Sequence, residues 1–341
     1  MEVLDIFSGD AFSMASLTDT ISHVDYKPDF LGSIGLFRPE GIPTRTVIVE
    51  EDYGTLKLVP NAPYGGTPAP RSNDKRKARS FIVPHLPTAS GITAEEIQNI
   101  RAYANGMTPA QALLSVEQLR DRKLSAMRSD LEATLEFHRI SALKGILLDS
   151  DGTTTIYNWF TEFGVSQQTH NMVLDTTTTN VINKVRAAIR LSLNALKSQR
   201  VMGWRAVCGD SFFDKLTGHG NFEKFIVNQP TAPAFLEEQK AYGSVYACGV
   251  TWSNYRGSVG GVDFVTSTKA YLFPEGADGL FLWKNGPADY LDRVNQIPTP
   301  DGMPIEVRAE VKPKSIELEA QSNPLHICTK PAAVIELKEN T

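Results

Sequence analysis

One uninterrupted helical segment constrains the fold of this chain more than any other feature. After Pro109, no proline or glycine occurs up to Lys144. Thr108 followed by Pro109 is typical of a helix start. Its apolar residues share one helical stripe, namely Leu113, Val116, Leu124, Met127, Leu131, Leu135 and Ala142. At 1.5 Å per residue, this helix would be roughly 50 Å long. Phe137 and Ile140 lie off the stripe, which predicts a second buried contact near the end of the helix.

The segments before this helix contain too little apolar material to form a core alone. Residues 1–43 have weak periodicity with scattered glycine, proline and serine, and they predict an arm that lies on other elements. Thr46–Val49 and Ser80–Val83 are typical of strands, and the proline-rich stretch Pro60–Pro70 between them is typical of a loop. Thr44–Pro87 is therefore a long β excursion. Such an excursion is only marginally stable alone, which favours a neighbouring subunit as its support.

The densest charge cluster of the chain lies in this excursion. It consists of Arg71, Lys75, Arg76, Lys77 and Arg79. One interpretation is contact with DNA phosphates, and another is a solvated loop that pairs with acidic residues of a neighbouring subunit. No aromatic residue is interleaved to stack on bases. We therefore expect these five residues to make an inter-subunit contact.

The residues around and after the long helix predict a mixture of helices and strands. Thr93 and Glu96 have capping-box spacing, and Gly145–Phe163 predicts a hairpin. The threonines of Thr176–Thr179 are expected to cap a helix whose buried stripe is Ile182, Val185, Ile189, Leu193 and Leu196. Strands are predicted at Arg205–Cys208, Val245–Cys248, Val262–Thr266, Lys269–Phe273, Leu280–Trp283, Ile305–Lys312 and Val334–Leu337, and a short helix at Ser211–Leu216. The predicted fold class is α+β.

Composition narrows the class of protein. The net charge is −5, which argues against general nucleic-acid binding without excluding a local basic patch. Three cysteines without a C-x-x-C pair are typical of reduced, buried thiols. The acidic start Met1–Asp5 is unlike a signal peptide, and no apolar run approaches the ~18 residues that span a bilayer. We expect a cytoplasmic protein without membrane contact.

Motifs for metals and cofactors are incomplete. Asp149–Gly152 begins like a calcium loop, but Thr153 and Phe160 occupy positions where that loop needs acids, so a hairpin turn is favoured. Gly218-His219-Gly220 lacks the third glycine of a dinucleotide site. No two histidines have metal-ligand spacing, and His138 is expected to be a boundary histidine with satisfied hydrogen bonds. We expect no cofactor and no metal.

Motifs for catalysis are incomplete as well. Gly209-Asp210-Ser211 is similar to a nucleophile elbow, but Phe213 replaces the second glycine, so Asp210 or Ser211 is expected to cap a helix. No Walker sequence is present. The chain is not expected to be an enzyme, although an enzyme with an unrecognised site stays an alternative.

Four ordered sequence blocks resemble the lambda-type phage major capsid proteins, the capsid protein E family. They are Thr44-Arg45 with Val47 and Glu50; Phe81–Pro87 with Ile97–Arg101; Phe273–Gly276 with Gly286–Tyr290 and Val294-Asn295; and Gln321–Leu325 with Pro331. The third block is the most specific. The resemblance covers about Thr44 to Leu337.

The resemblance implies the Hong Kong-type capsid fold of tailed phages, which encapsulins share. It implies an arm (1–43), an extended loop (44–92), a peripheral domain with a spine helix (93–177) and an axial domain (178–341). Two assignments are open for the C-terminal strands: they belong to the axial domain, or they return to the peripheral domain. The long helix and the β excursion predicted above fit these parts in order.

The implied function is structural. Many copies would form hexamers and pentamers that close the icosahedral head of a tailed phage or prophage around packaged DNA, bound without sequence specificity. The protein would be assembled in the host bacterial cytoplasm and end in the virion. Portal, scaffold and decoration proteins are possible partners. An encapsulin-like compartment shell is the alternative of the same fold, and a tail-tube protein is a weaker one.

Overall fold

The computed structural model describes residues 30–52, 76–97, 109–197, 199–222, 243–259, 261–298 and 305–340. Its helices are α1 (Phe30–Ser33), α2 (Pro109–Leu143), α3 (Trp159–Phe163), α4 (Val181–Leu196) and α5 (Asp210–Thr217). Strands in the first half are β1 (Pro39–Gly41), β2 (Thr46–Asp52), β3 (Arg76–Ile82), β4 (Leu86–Thr93), β5 (Ile146–Leu148), β6 (Thr155–Asn158) and β7 (Gln168–Asn171). Those in the second half are β8 (Gly203–Cys208), β9 (Ser244–Ala247), β10 (Val250–Asn254), β11 (Ser258–Val259), β12 (Val262–Asp263), β13 (Lys269–Glu275), β14 (Phe281–Asn285), β15 (Glu306–Val311), β16 (Ser315–Ser322), β17 (Pro324–Cys328) and β18 (Ile335–Lys338).

The long helix is confirmed as α2, with 35 residues. The predicted stripe is buried at Leu124, Met127, Leu131, Leu135 and Ala142, whereas the side chains of Leu113 and Val116 lie outside the described residues. Every residue from 135 to 143 is buried, which confirms the second contact through Phe137 and Ile140. The final turns of α2 are therefore surrounded by the rest of the chain, and its middle covers a sheet on one side.

That sheet has the strand order β15-β16-β4 and packs against the middle of α2. Its inner side chains include Ile92, Val307 and Leu318, which form a hydrophobic cluster with Leu124 and Leu131 of the helix. Of these three strands the sequence predicted β15, at Ile305–Lys312. Pro87 lies within β4, which is an edge strand of the sheet, where proline is tolerated. The Thr93–Glu96 capping box is confirmed, because Thr93 N donates to Glu96 Oε2 at 2.9 Å.

A six-stranded sheet, ordered β7-β18-β13-β8-β10-β9, carries α4 and α5. The predicted cap of α4 is wrong, since Asn180 Oδ1 accepts from Asn183 N at 3.1 Å and the threonine run ends before it. The predicted buried stripe is also partly wrong: Val181, Val185, Ala188, Ser192 and Leu196 are buried, and Leu193 is exposed.

The reason for the second error is close packing against a short turn. Small residues at 188 and 192 let α4 approach the 3-10 turn Pro331–Ala333, whose carbonyl at Ala333 accepts a hydrogen bond from Ser192 Oγ. Selecting only large apolar residues rotated the predicted face by about one position. α5 likewise begins after Gly209, and neither Asp210 nor Ser211 caps it.

The remaining strands surround the end of α2. β14 pairs with β17 and, in parallel, with β1, so residues 39–41 of the predicted arm join a three-stranded sheet. β5 and β6 form the predicted hairpin as far as Asn158, whereas Trp159–Phe163, predicted as part of it, is the helix α3. In the turn, Asp151 accepts hydrogen bonds from the backbone N–H groups of Thr153 and Thr154. The Thr154 hydroxyl, which also donates to this carboxylate, and then the two backbone hydrogen bonds lower the pKa of the Asp151 carboxyl. The turn predicted at Asp149–Gly152 is confirmed. Among the described helices, none has the length and apolarity to cross a bilayer.

Candidate functional site

The β2–β3 hairpin has one buried and one exposed face. Antiparallel register places Val47 opposite Phe81, and both are buried together with Val49. The opposite face carries Ile48 and Ile82, which are 68% and 60% exposed. These two isoleucines are diagonal neighbours on the same face, because Ile48 lies opposite Ser80 and Ile82 opposite Thr46. The hairpin therefore exposes two neighbouring apolar side chains on one face.

The base of this hairpin is fixed by an aromatic anchor, which consists of Phe81, Tyr157, Trp159 and Phe163. The Phe81 ring meets Tyr157 and Trp159 edge-on, with centroids 5.5 and 5.2 Å away. Tyr157 Oη accepts from Ile82 N at 2.9 Å and donates to Ile82 O at 2.8 Å. Trp159 is fully buried, and Asn158 caps the helix that begins there. Both the direction and the register of the hairpin are thus set at its base.

The predicted basic contact is only partly within the described residues. Arg71 and Lys75 lie outside them, and so does the side chain of Arg76. The register sets Arg76 opposite Asp52 and Lys77 opposite Glu51. The acidic end of β2 therefore faces the basic start of β3 within one chain, a pairing that the run Glu50-Glu51-Asp52 could have indicated from the sequence.

The side chains of Lys77 and Arg79 differ in their surroundings. Lys77 is exposed. The Arg79 guanidinium lies 5.1 Å from the centroid of the Phe163 ring, so it packs on the aromatic anchor of its own chain. The expectation that the basic run contacts a neighbour stays a prediction.

A buried ion pair holds the segment that enters the core at α1. Glu136 accepts hydrogen bonds from Leu31 N at 2.6 Å and from Gly32 N at 3.2 Å. Arg139 Nη1 donates to the same carboxylate at 2.9 Å, and its guanidinium lies 4.9 Å from the Trp283 ring centroid. Both charged side chains are buried. Sequence reasoning missed this site, although charged residues inside the apolar stretch 135–143 were a usable signal.

Two histidines lie beside this ion pair. His138 and His326 are fully buried with ring centroids 6.4 Å apart, and within the described ranges none of their ring nitrogens has a hydrogen-bond partner. The prediction of a boundary histidine with satisfied hydrogen bonds was therefore wrong for His138. Burial lowers its pKa to about 4, against a smaller opposing effect of Asp149. Burial, with Arg139 and His138 nearby, also lowers the pKa of His326.

The block Gly286–Asn295 borders a cleft of about 330 Å³. Asn323 holds the block, because its Nδ2 donates to Pro287 O at 2.7 Å and its carbonyl accepts from Gly286 N at 2.9 Å. Gln321 Oε1 accepts from Asp289 N at 2.9 Å. The opposite wall of the cleft is the hairpin base at Pro43–Arg45 and His85. The block and the hairpin base are thus parts of one continuous surface.

The chain's similarity to known proteins identifies its family. A family model described as phage major capsid protein E matches residues 13–339. The chain belongs to that family. Two curated relatives named major capsid protein cover 96% of the chain: that of Pseudomonas phage KPP10 is 26% identical, with 97% of its own length covered, and that of Salmonella phage Felix O1 is 23% identical, with 96% covered.

Solved structures show the same fold. A crystal structure described as a capsid protein of a prophage of E. coli CFT073 matches with a TM-score of 0.58 and 14% identity, covering 95% of this chain and 98% of that one. The mature capsid of bacteriophage PhiM1 matches with a TM-score of 0.51 and 10% identity, covering 92% and 87%. The fold is therefore the α+β capsid fold of tailed phages, as predicted. The four-part division stays a prediction.

Proposed function

We propose that this phage capsid protein builds an icosahedral head from hexamers and pentamers of identical subunits around packaged DNA. The family match over nearly the whole chain supports this proposal. The observation that carries it is the hairpin, which is fixed at its base and exposes Ile48 and Ile82 on its free face. A subunit that overlaps a neighbour through such an element spreads each contact over a large area. Many such contacts, at roughly 25 cal/mol per Å² of buried apolar surface, hold a shell together.

We also propose the division into arm (1–43), extended loop (44–92), peripheral domain (93–177) and axial domain (178–341). In this proposal β15 and β16, which lie in the C-terminal part of the chain, belong with the peripheral domain. The pairing of β16 with β4, and the packing of both on α2, supports that return. The last part of the extended loop, β4, lies in the sheet that packs against α2.

The proposed role is structural and not enzymatic. DNA would be enclosed without sequence specificity, in keeping with a net charge of −5. Portal, scaffold and decoration proteins are further proposed partners, and assembly would occur in the host cytoplasm. An encapsulin-like compartment shell is less well supported, since both curated relatives are named as phage major capsid proteins.

Electron microscopy and size-exclusion chromatography of the purified, over-expressed protein test the proposal. Closed shells or rings of five and six subunits are expected. Ile48→Asp with Ile82→Asp should abolish them and leave a folded subunit, because carboxylates on a dry contact lose their hydration. Met202→Asp, at another exposed apolar residue, is the matched control. A wild-type protein that stays monomeric at high concentration, also with a scaffold protein added, would contradict the proposal.

A further inference from the structure

The segment 291–297 exposes all three of its aliphatic side chains. Its three aliphatic residues, Leu291, Val294 and Ile297, are 96%, 60% and 63% exposed. They recur every third residue, beginning in the 3-10 turn Leu291–Arg293. They are three of the ten large hydrophobic side chains that are exposed among the described residues. Scattered exposed aliphatics are ordinary, but such a concentration marks an interaction surface.

Three of the four polar residues of the same segment, Asp292, Arg293 and Gln296, are bound within the subunit. Arg293 Nε donates to Glu306 Oε2 at 2.8 Å and its Nη1 donates to Gln296 Oε1 at 3.0 Å. Gln296 Nε2 donates to Asp292 O at 2.8 Å, and Asp292 also pairs with Arg308. The segment is thus held in shape before it meets a partner. Its aliphatic side chains are exposed in this held conformation, so little ordering is needed before they meet a partner.

The residues just before Leu291 are also held in place by contacts within the subunit. The Arg308 guanidinium lies 3.8 Å from the centroid of the Tyr290 ring, and the backbone at Asp289 is bound to Gln321. The cleft of about 330 Å³ lies directly beside Leu291 and Val294, which line it. A projecting apolar ridge and a cleft therefore lie next to each other on one subunit.

Charge and continuity indicate which partner fits this surface. Asp292 and Arg293 are both used in ion pairs, so the outward side chains of the ridge carry no charge to bind a phosphate backbone. The far wall of the cleft is the hairpin base, at Thr44, Arg45 and His85. The ridge thus continues the surface whose contact is proposed above, and that contact is with the chain's own copies. Adjacent unlike surfaces on one subunit suit a head-to-tail contact that closes rings.

We propose that Leu291, Val294 and Ile297 form a docking ridge through which each subunit contacts a second copy of this chain. This inference rests on the proposed function and names a contact surface separate from the free face of the hairpin. Leu291 is the side chain chosen for testing, because it is the most exposed of the three and also lines the cleft.

Photo-crosslinking in assembled particles tests the contact directly. A benzophenone amino acid placed at position 291 is incorporated into unlabelled protein, which is co-assembled with ¹⁵N-labelled wild-type subunits and irradiated. Mass spectrometry should find peptides that join position 291 to ¹⁵N-labelled peptides, which can come only from another copy. Cross-links confined to the unlabelled chain itself, or to a different protein in particles from infected cells, would overturn the proposal.

Substitution measures how much the ridge contributes. Leu291→Glu should raise the subunit concentration needed for assembly by at least about tenfold, since a carboxylate would have to be buried. Leu193→Glu is the matched control, because Leu193 is an exposed leucine on α4, outside the ridge. If Leu291→Glu lowers the melting temperature of the subunit, the milder Val294→Ser replaces it. Normal assembly of the ridge variants would refute the ridge alone, whereas a wild type that never assembles would refute the proposed function and this inference with it.

Discussion

Two regions of this subunit break the usual separation of polar surface from apolar core, and they do so in opposite directions. The end of α2 buries Glu136, His138 and Arg139. The segment 291–297 instead exposes three aliphatic side chains. In the first region the buried charges meet each other and the backbone of α1 within one chain. In the second region the Ile297 side chain lies against Gly41 of β1, but all three aliphatic side chains stay at least 60% exposed. The comparison separates what the subunit completes by itself from what it leaves for assembly.

The buried pair has a consequence for the path of the chain. An ion pair in a core is seldom a net source of stability, because both charges lose their hydration. Here the carboxylate also accepts from two backbone N–H groups more than a hundred positions earlier in the chain. The pair therefore specifies where the segment before β1 enters the core. It sets a position rather than adding attraction.

The largest expected effect comes from breaking the self-contained region. Glu136→Ala removes the carboxylate that Arg139 and the backbone of Leu31 and Gly32 share, and it should lower the free energy of unfolding by about 4 kcal/mol. Urea unfolding of the unassembled subunit measures this loss. Glu95→Ala, at an exposed glutamate, is the control and should stay within about 0.5 kcal/mol of wild type. An equal effect of the two variants would show that α1 is held by other contacts.

A second prediction concerns pH and the neighbouring histidines. Because the folded pKa of His138 is lowered from 6.5 to about 4, the unfolded chain binds more protons between these values. The stabilising contribution of the neutral ring is complete above pH 6.5 and falls as the pH decreases towards 4. It amounts to roughly 3 kcal/mol over this range.

His138→Leu tests this titration while keeping a side chain of similar size. The free energy of unfolding, measured by urea titration at several pH values, should depend less on pH in the variant. A smaller slope should remain, because burial and Arg139 still lower the pKa of His326 in the variant. An unchanged slope would mean that His138 does not titrate on unfolding.

Local patterns predicted the parts of this fold that local interactions determine. The long helix, the capping box at Thr93 and the hairpin around Asp151 follow from periodicity and turn chemistry, and all three are confirmed. The face of α4 was misjudged because Ser192 is buried by a close approach that only the tertiary fold creates.

The assembly surfaces were harder to predict. The resemblance indicated Phe273–Gly276 with Gly286–Tyr290 and Val294-Asn295 as the most specific block, but no sequence pattern shows that the aliphatic residues of 291–297 are exposed. That exposure depends on Gln321, Asn323 and Glu306, which lie later in the chain and hold the segment from behind. The expected contact of the basic run stays a prediction, and the register of β2 and β3 adds that Arg76 and Lys77 lie opposite acidic residues of their own chain.

The smallest expected effect on subunit stability concerns the exposed segment 291–297. Val294→Ser should change the free energy of unfolding of the unassembled subunit by less than about 0.5 kcal/mol, because an exposed valine loses little apolar contact on truncation. The buried Val181→Ser, at the start of α4, is the matched contrast and should cost several-fold more, since it leaves both a cavity and a buried hydroxyl. Urea unfolding of both variants, beside their assembly by size-exclusion chromatography, makes the test. A large loss of subunit stability in Val294→Ser would mean that the ridge is covered by its own chain. If Val294→Ser leaves the subunit's stability unchanged but weakens assembly, Val294 contributes to a contact between subunits, as its exposure indicates.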